Sequence, residues 1–274
     1  MFKKDALVIK GSSKRKILID TTVLEESNSK RVVIFSHGFK GFKDWGPFNK
    51  IAEYFALNGF VFVKFNFSYN GTSIEKPSDF VDLEAFGNNN FCKELDDLEI
   101  VIDWVRSEFL SAEITLFGHS RGGAISVLKS KEDNLISNIV SWASPSDLLA
   151  KLPSYEKVKK WKSTNVAFVY NGRTKQNMPL YYQFYENCMR NSERLSIKNA
   201  MKAMKVSHLH IHGNADSTVL IDEAYNIKSW NPETQLYIIN GANHVFDGSH
   251  PYKLVDFPRD LKDALDTTLD FLKG

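Results

Sequence analysis

Residues Ile114–Gly123 read ITLFGHSRGG and contain the motif G-x-S-x-G between a short apolar run and a predicted helix. A strand, a sharp turn and a helix are the context in which this motif exposes a nucleophilic serine. Gly118 and Gly122 lack the side chains that would collide in so tight a turn. Ser120 would project from its tip at the helix N-terminus, where the dipole favours negative charge. The motif therefore predicts Ser120 as a nucleophile.

Strand-like and helix-like segments alternate on both sides of this motif. Strands are predicted at Ala6–Ile9, Lys16–Thr22, Arg31–Ser36, Phe60–Phe67, Ile114–Phe117, Ile139–Trp142, Val206–His212 and Leu236–Ile239, and helices at Phe48–Leu57, Glu94–Glu108, from near Gly122, and at Leu261–Leu272. This alternation indicates a single α/β domain, residues 1–274, with a mostly parallel central sheet and helices on both faces. Ligands bind such sheets beyond the carboxyl ends of the strands.

The regular alternation of strands and helices is interrupted at about residues 146–205. This stretch contains a lysine-rich helix candidate, a possible hairpin of Ala167–Tyr170 and Leu180–Phe184 around Asn171-Gly172, and a helix from about Ser196 to Met204. An insertion of this size in a compact domain usually has a purpose. We expect a small lid over the active site.

A serine hydroxyl needs a base to take its proton, and position along the fold selects among the seven histidines. His244 follows the last predicted strand, at its carboxyl end, and is the expected base. Three histidines alternate along one face of the fifth strand of the parallel series and are expected to pack there: His208, His210 and His212. His250 stays open as a weaker alternative.

The base in turn needs a carboxylate that orients the imidazole and stabilises its charged form. Asp216 falls in the loop that leaves the Val206–His212 strand. Asp222 is predicted inside the next helix, and Asp247 follows His244 too closely. The order Ser, Asp, His at the ends of three strands favours Asp216.

Acyl transfer places negative charge on the carbonyl oxygen, which fixed hydrogen-bond donors must stabilise. The backbone N–H of Arg121 directly follows the nucleophile. The backbone N–H of Phe39 lies in the loop HGFKG, after the strand that ends at Ser36. These two groups are the predicted oxyanion hole.

These segments together resemble the α/β-hydrolase family over nearly the whole chain. The resemblance implies hydrolysis of carboxylic esters through an acyl-enzyme, without a metal or an organic cofactor. Within the family, the chain is similar to cinnamoyl (feruloyl) esterases and dienelactone-hydrolase-like members, although dienelactone hydrolases proper have a cysteine where this chain has Ser120. Phe65–Ser73 looks like the family's D-x-R-G-x-G-x-S segment and departs from it with Asn66 in place of aspartate. Because that segment is structural in the family, the departure leaves the chemistry unchanged.

The predicted lid is rich in aromatic residues, which suit a flat or apolar acyl group. Tyr170, Tyr181 and Tyr182 are the candidate substrate-binding residues, for a small to medium or aryl-acyl ester. The equally plain alternative is that these tyrosines pack the lid onto the body.

Two other functions stay open. A serine peptidase or amidase would use the same residues but usually needs a pocket for a peptide terminus. A catalytically inactive binding protein would normally have lost Ser120 or His244, and this chain retains both.

The composition limits the partners. The 274 residues are 43% hydrophobic and 25% charged, with a net charge of +2, which is typical of a globular protein and argues against a nucleic-acid partner. No apolar segment suits a signal peptide or approaches the roughly 20 residues of a membrane span. Cys92 and Cys188 read as free thiols. We expect a cytoplasmic monomer or homodimer that acts on a small-molecule ester, away from membranes.

Overall fold

The computed structural model describes residues 1–274. Its strands are β1 (Phe2–Lys10), β2 (Lys16–Leu24), β3 (Arg31–Ser36), β4 (Val61–Phe65), β5 (Glu113–His119), β6 (Asn138–Trp142), β7 (Val166–Asn171), β8 (Gln176–Tyr181), β9 (Ser207–Gly213) and β10 (Gln235–Ile239). Its helices are α1 (Phe48–Leu57), α2 (Leu83–Gly87), α3 (Phe91–Glu108), α4 (Arg121–Glu132), α5 (Tyr155–Thr164), α6 (Gln183–Arg190), α7 (Ile197–Ala203), α8 (Ile221–Trp230) and α9 (Arg259–Lys273).

Eight strands form one sheet in the order β1-β2-β4-β3-β5-β6-β9-β10. β2 pairs antiparallel with β1 and β4, and all other pairs are parallel. The predicted mostly parallel sheet is confirmed, and β1 and β2 form an antiparallel edge of it. From β3 the chain moves outward to β4 and then returns to β5 on the other side. This reversal opens a crevice at the carboxyl ends of β3 and β5, where Ser36 pairs with Gly118.

Apolar side chains cover both faces of the sheet. Val32 and Ile34 of β3 lie in one hydrophobic cluster, while Val33 and Phe35 lie in the other, because successive side chains of a strand point to opposite faces. Helices α3, α4 and α7 cover the first face, and α1 and α9 cover the second. Helix α9 buries Leu261, Ala264, Leu265, Thr268 and Leu269, a spacing that places them on one side of the helix. No helix has the length and apolar character that crossing a membrane requires.

The insertion at residues 146–205 contains α5, the β7–β8 hairpin, α6 and α7. The hairpin turn is four residues long, and Asn171 pairs with Gln176. The second hairpin strand therefore runs over Gln176–Tyr181, and its prediction at Leu180–Phe184 was wrong. Phe184 instead lies in the first turn of α6 and is buried in the hydrophobic core, as is Met201 of α7. Part of the insertion thus belongs to the body of the domain.

Candidate active site

Ser120 occupies a strained turn between β5 and α4. Its backbone has φ 56° and ψ −124°, a conformation that a side-chain-bearing residue seldom adopts and that clusters at functional sites. Its N–H donates to the carbonyl of Trp142 at 2.8 Å. A Cβ at Gly118 would lie 2.2 Å from the backbone of Gly122, and one at Gly122 would lie 2.1 Å from the carbonyl oxygen of Ser36. The turn therefore requires both glycines.

Three loops at the carboxyl ends of β5, β9 and β10 bring Ser120, Asp216 and His244 together. The Oγ of Ser120 lies 3.1 Å from the Nε2 of His244. The Nδ1 of the same ring lies 2.7 Å from the Oδ2 of Asp216. Because the carboxylate only accepts, Nδ1 carries the proton and Nε2 is left to accept the serine proton. The three residues selected from the sequence thus form one continuous hydrogen-bonded chain.

The Asp216 carboxylate is held in its ionised form. Burial alone would raise its pKa, but the hydrogen bonds from His244 and from the N–H groups of Val219 and Thr218, with the charge on His244, lower the pKa below the usual value. The two N–H groups donate to Oδ1, at 2.9 and 2.7 Å, so Oδ2 is left to the imidazole. The charge required to stabilise an imidazolium is in place.

His119 anchors the loop of His244. The Nε2–H of His119 donates to the carbonyl of His244 at 2.8 Å, and burial lowers the pKa of His119 to about 3. The Nδ1 of His250, the alternative base, accepts from the N–H of Gly46 at 2.9 Å. This nitrogen therefore belongs to a different set of hydrogen bonds from the one that joins Ser120, His244 and Asp216.

The loop after β3 presents a free N–H beside the serine. A Cβ at Gly38 would lie only 3.1 Å from the Cβ of Ser120. The carbonyl of Gly38 accepts from the Nδ1–H of His37 at 2.9 Å and from the N–H of Gly41 at 3.1 Å. Since C=O and N–H point in opposite directions in a trans peptide, the N–H of Phe39 faces away from these donors. Neither this N–H nor that of Arg121 has an acceptor within the protein.

A cavity of about 280 Å³ opens at this point, and its lining includes Ser120 and His244. Trp45, Phe48 and Val245 supply apolar surface. A separate cavity of about 350 Å³ beside Lys14–Lys16 contains none of the three hydrogen-bonded residues. No group of three or more His, Cys, Asp or Glu side chains is arranged to hold a metal ion.

The sequence profile described as alpha/beta hydrolase fold matches residues 31–199. The chain belongs to the α/β-hydrolase family. No curated protein matches the sequence significantly.

Solved structures similar to this α/β-hydrolase include Est1E from Butyrivibrio proteoclasticus with bound ferulic acid, which is 17% identical with a TM-score of 0.74, covering 98% of this chain and 100% of that chain. The esterase domain of a Rhodothermus marinus protein is 15% identical with a TM-score of 0.65, over 98% and 96% of the two chains. Dienelactone hydrolase from Anabaena variabilis is 15% identical with a TM-score of 0.67, over 99% and 97%. At these sequence identities, the similarity shows only that the folds are alike.

The three tyrosines predicted to bind substrate lie away from the cavity of this α/β-hydrolase. Tyr170 is 58% exposed, because Asn171 points into the cavity and side chains alternate along β7. Tyr181 and Tyr182 lie at the far end of the hairpin from its turn. The hydroxyl of Tyr181 donates to Glu84, and the ring of Tyr182 stacks on Tyr185 at 5.7 Å. The hairpin instead contributes Asn171 and Arg173 to the cavity.

Sequence reasoning missed Arg173 and gave no role to Lys40, although both line the cavity. Lys40 lies inside HGFKG, a segment for which the sequence predicts a role only for the backbone N–H of Phe39. Arg173 directly follows Asn171-Gly172. A cation at the tip of an inserted hairpin was therefore the sequence signal that could have indicated this cavity residue.

The three histidines of β9 form a buried chain of hydrogen bonds. The Nε2 of His212 contacts the carbonyl of Val219 at 2.8 Å and must donate to it, so its Nδ1 accepts from the Nε2–H of His210 at 3.1 Å. The hydroxyl of Ser141 donates to the Nδ1 of His210 at 2.7 Å and accepts from His208 at 2.8 Å. These ring nitrogens are occupied within the protein, as expected of packed residues, and the chain fixes the loop that carries Asp216.

The burial of His208 predicts a pH-dependent mutational effect. Burial lowers its pKa to about 3, whereas the unfolded chain binds the proton near 6.5, so folding stability from neutral His208 is complete above pH 6.5 and declines below it. We expect the destabilisation caused by His208→Gln to shrink as the pH falls from 6.5 towards 5, with a slope that approaches about 1.4 kcal/mol per pH unit well below pH 6.5. Urea unfolding of both proteins across this range measures the difference. A destabilisation that stays constant with pH would contradict a neutral, buried His208.

Proposed function

We propose that this protein is a serine hydrolase that cleaves carboxylic esters through an acyl-enzyme intermediate. The observation that carries the proposal is the chain from Ser120 Oγ through the His244 ring to Asp216, with distances of 3.1 and 2.7 Å. A nucleophile in hydrogen-bond reach of a base, itself oriented by a carboxylate, is the arrangement that activates a serine.

In the first half-reaction, Ser120 Oγ attacks the ester carbonyl while His244 Nε2 takes its proton. Asp216 stabilises the resulting imidazolium. The oxyanion of the tetrahedral intermediate accepts hydrogen bonds from the N–H groups of Phe39 and Arg121, which need no reorganisation because their loops are already fixed. Collapse of the intermediate breaks the ester bond, and the His244 imidazolium gives its proton to the departing alcohol.

In the second half-reaction, water attacks the acyl-enzyme, and His244 takes a proton from it. The second tetrahedral intermediate collapses with release of the carboxylic acid, and the proton returns to Ser120 Oγ. The same donors stabilise both intermediates, since the same carbonyl oxygen becomes negative twice.

A small substrate suits the cavity of about 280 Å³ with apolar walls from Trp45, Phe48 and Val245. We propose that the β7–β8 hairpin is the lid that the sequence predicts within residues 146–205, because Asn171 and Arg173 border the cavity. Two of the similar structures are named as an esterase domain and as Est1E with ferulic acid, which favours an ester over an amide. No carboxylate lines the cavity to pair with the amino terminus of a peptide.

A panel of substrates tests the proposal. We expect hydrolysis of p-nitrophenyl acetate and butyrate, slower turnover of p-nitrophenyl esters with long acyl chains, and no cleavage of an aminoacyl-naphthylamide. Methyl ferulate tests the aryl-acyl preference. Activity confined to the amide would point to a peptidase, and hydrolysis only of long-chain esters would contradict the small-substrate proposal.

A further inference from the structure

Two cations line the cavity that contains Ser120. Lys40 directly follows Phe39 in the loop after β3, and its Nζ donates to the carbonyl of Tyr170 at 3.2 Å, which joins this loop to the hairpin. Arg173 extends from the hairpin turn, with its guanidinium 5.0 Å from the ring centre of Phe42. The cavity wall thus has one positive group from the body and one from the hairpin.

Neither cation has a carboxylate within ion-pair distance, in contrast to other cations nearby. Arg121 pairs with Glu94 at 3.3 Å, and Lys43 pairs with Asp20. The salt bridges of the molecule include neither Lys40 nor Arg173. Neutralisation of the surrounding cations leaves these two as the uncompensated positive charges of the cavity wall.

Lys40 and Arg173 also face no acidic group across the cavity. Aspartate and glutamate are both absent from the cavity lining. Partial burial, and then the charge of Arg121, lower the pKa of Lys40, while burial lowers that of Arg173 against the attraction of Asp79. Arg173 is exposed and Lys40 is partly buried, so an anion in the cavity would find both positive charges accessible and would offset their partial desolvation.

We propose, on the basis of the proposed esterase function, that the substrate carries a carboxylate near its scissile ester bond and that Lys40 and Arg173 bind this carboxylate. The planar guanidinium of Arg173 offers paired donors that match a carboxylate, and Lys40 adds a compact charge beside the oxyanion loop. Trp45, Phe48 and Val245 contact the apolar remainder of the substrate.

Matched pairs of esters test this inference. Mono-p-nitrophenyl glutarate places the charge on the acyl side, with p-nitrophenyl butyrate as its neutral partner. p-Acetoxybenzoate places it on the alcohol side, with its methyl ester as the neutral partner. In one of the two pairs we expect kcat/KM for the charged ester to exceed that of the neutral ester by about tenfold or more, the usual strength of charge-assisted hydrogen bonds.

Variants assign the preference to the two cations. The ratio of charged to neutral kcat/KM should fall about tenfold in Lys40→Met and Arg173→Met, and further in Arg173→Glu, which repels the anion. Lys175→Met is the matched control, since Lys175 lies in the same hairpin turn but outside the cavity lining, and its ratio should equal that of the wild type. Added salt should reduce the wild-type ratio, because it screens partly exposed charges.

The outcomes distinguish failure of the carboxylate inference from failure of the proposed esterase function. Hydrolysis of the neutral esters with no preference for either charged partner would overturn the carboxylate inference and leave the esterase proposal standing. A preference that survives in both methionine variants would equally overturn the assignment to Lys40 and Arg173. If no ester of either pair were hydrolysed, the esterase proposal would fail, and the inference with it.

Discussion

Ser120→Ala is expected to lower kcat for ester hydrolysis by about 10⁴-fold or more, to near the background of the oxyanion donors and binding alone. Removal of Oγ eliminates the atom that would form the acyl-enzyme, and His244 has no other acidic proton to take at that position. The measurement is kcat for p-nitrophenyl butyrate, obtained from initial rates at saturating substrate.

Ser130→Ala is the matched control, because Ser130 lies on the same helix α4 and its hydroxyl donates only to the carbonyl of Val127, at 2.7 Å. Its kcat should equal that of the wild type. A Ser120→Ala protein that is correctly folded by circular dichroism yet keeps kcat within a factor of about ten would contradict a serine mechanism.

Asp216→Asn is expected to lower kcat by about 10⁴-fold while leaving the fold intact. Oδ1 of Asp216 accepts from the N–H groups of Thr218 and Val219, so the carbonyl oxygen of an asparagine would take that position. Its NH₂ group would then face Nδ1 of His244 and donate to it. The imidazole would be forced to carry its proton on Nε2, where it cannot accept the proton of Ser120.

Asp222→Asn and Asp247→Asn are the controls, since both side chains are exposed and neither contacts His244. Both should keep the wild-type kcat. The double variant Ser120→Ala with Asp216→Asn should be no slower than Ser120→Ala, because residues that act as a unit are not additive. Wild-type activity in Asp216→Asn, or loss of activity in Asp222→Asn, would contradict the assigned carboxylate.

The residues of the candidate site could be placed from the sequence because their positions follow from local geometry. GHSRGG specifies a turn that only glycines permit, and the strand order then fixes which loops share the carboxyl edge of the sheet. Asp216 and His244 follow strands of that edge, so they meet Ser120 despite their separation in sequence.

The insertion could not be predicted as well, because its structure depends on tertiary partners. Leu180–Phe184 is apolar and aromatic enough for a strand, but β8 ends at Tyr181 because its partner β7 begins at Val166. Once the strand ends, Phe184 packs into the core from a helix. The same register decides that Asn171, and not Tyr170, faces the cavity.

Labelling with a fluorophosphonate probe, followed by peptide mapping, tests the central claim most directly. The probe reacts with a serine only when a neighbouring base activates it. The account predicts rapid labelling confined to the peptide that contains Ser120, abolished in Ser120→Ala and retained in Ser130→Ala. An unlabelled wild-type protein, or a label on a different residue, would contradict it.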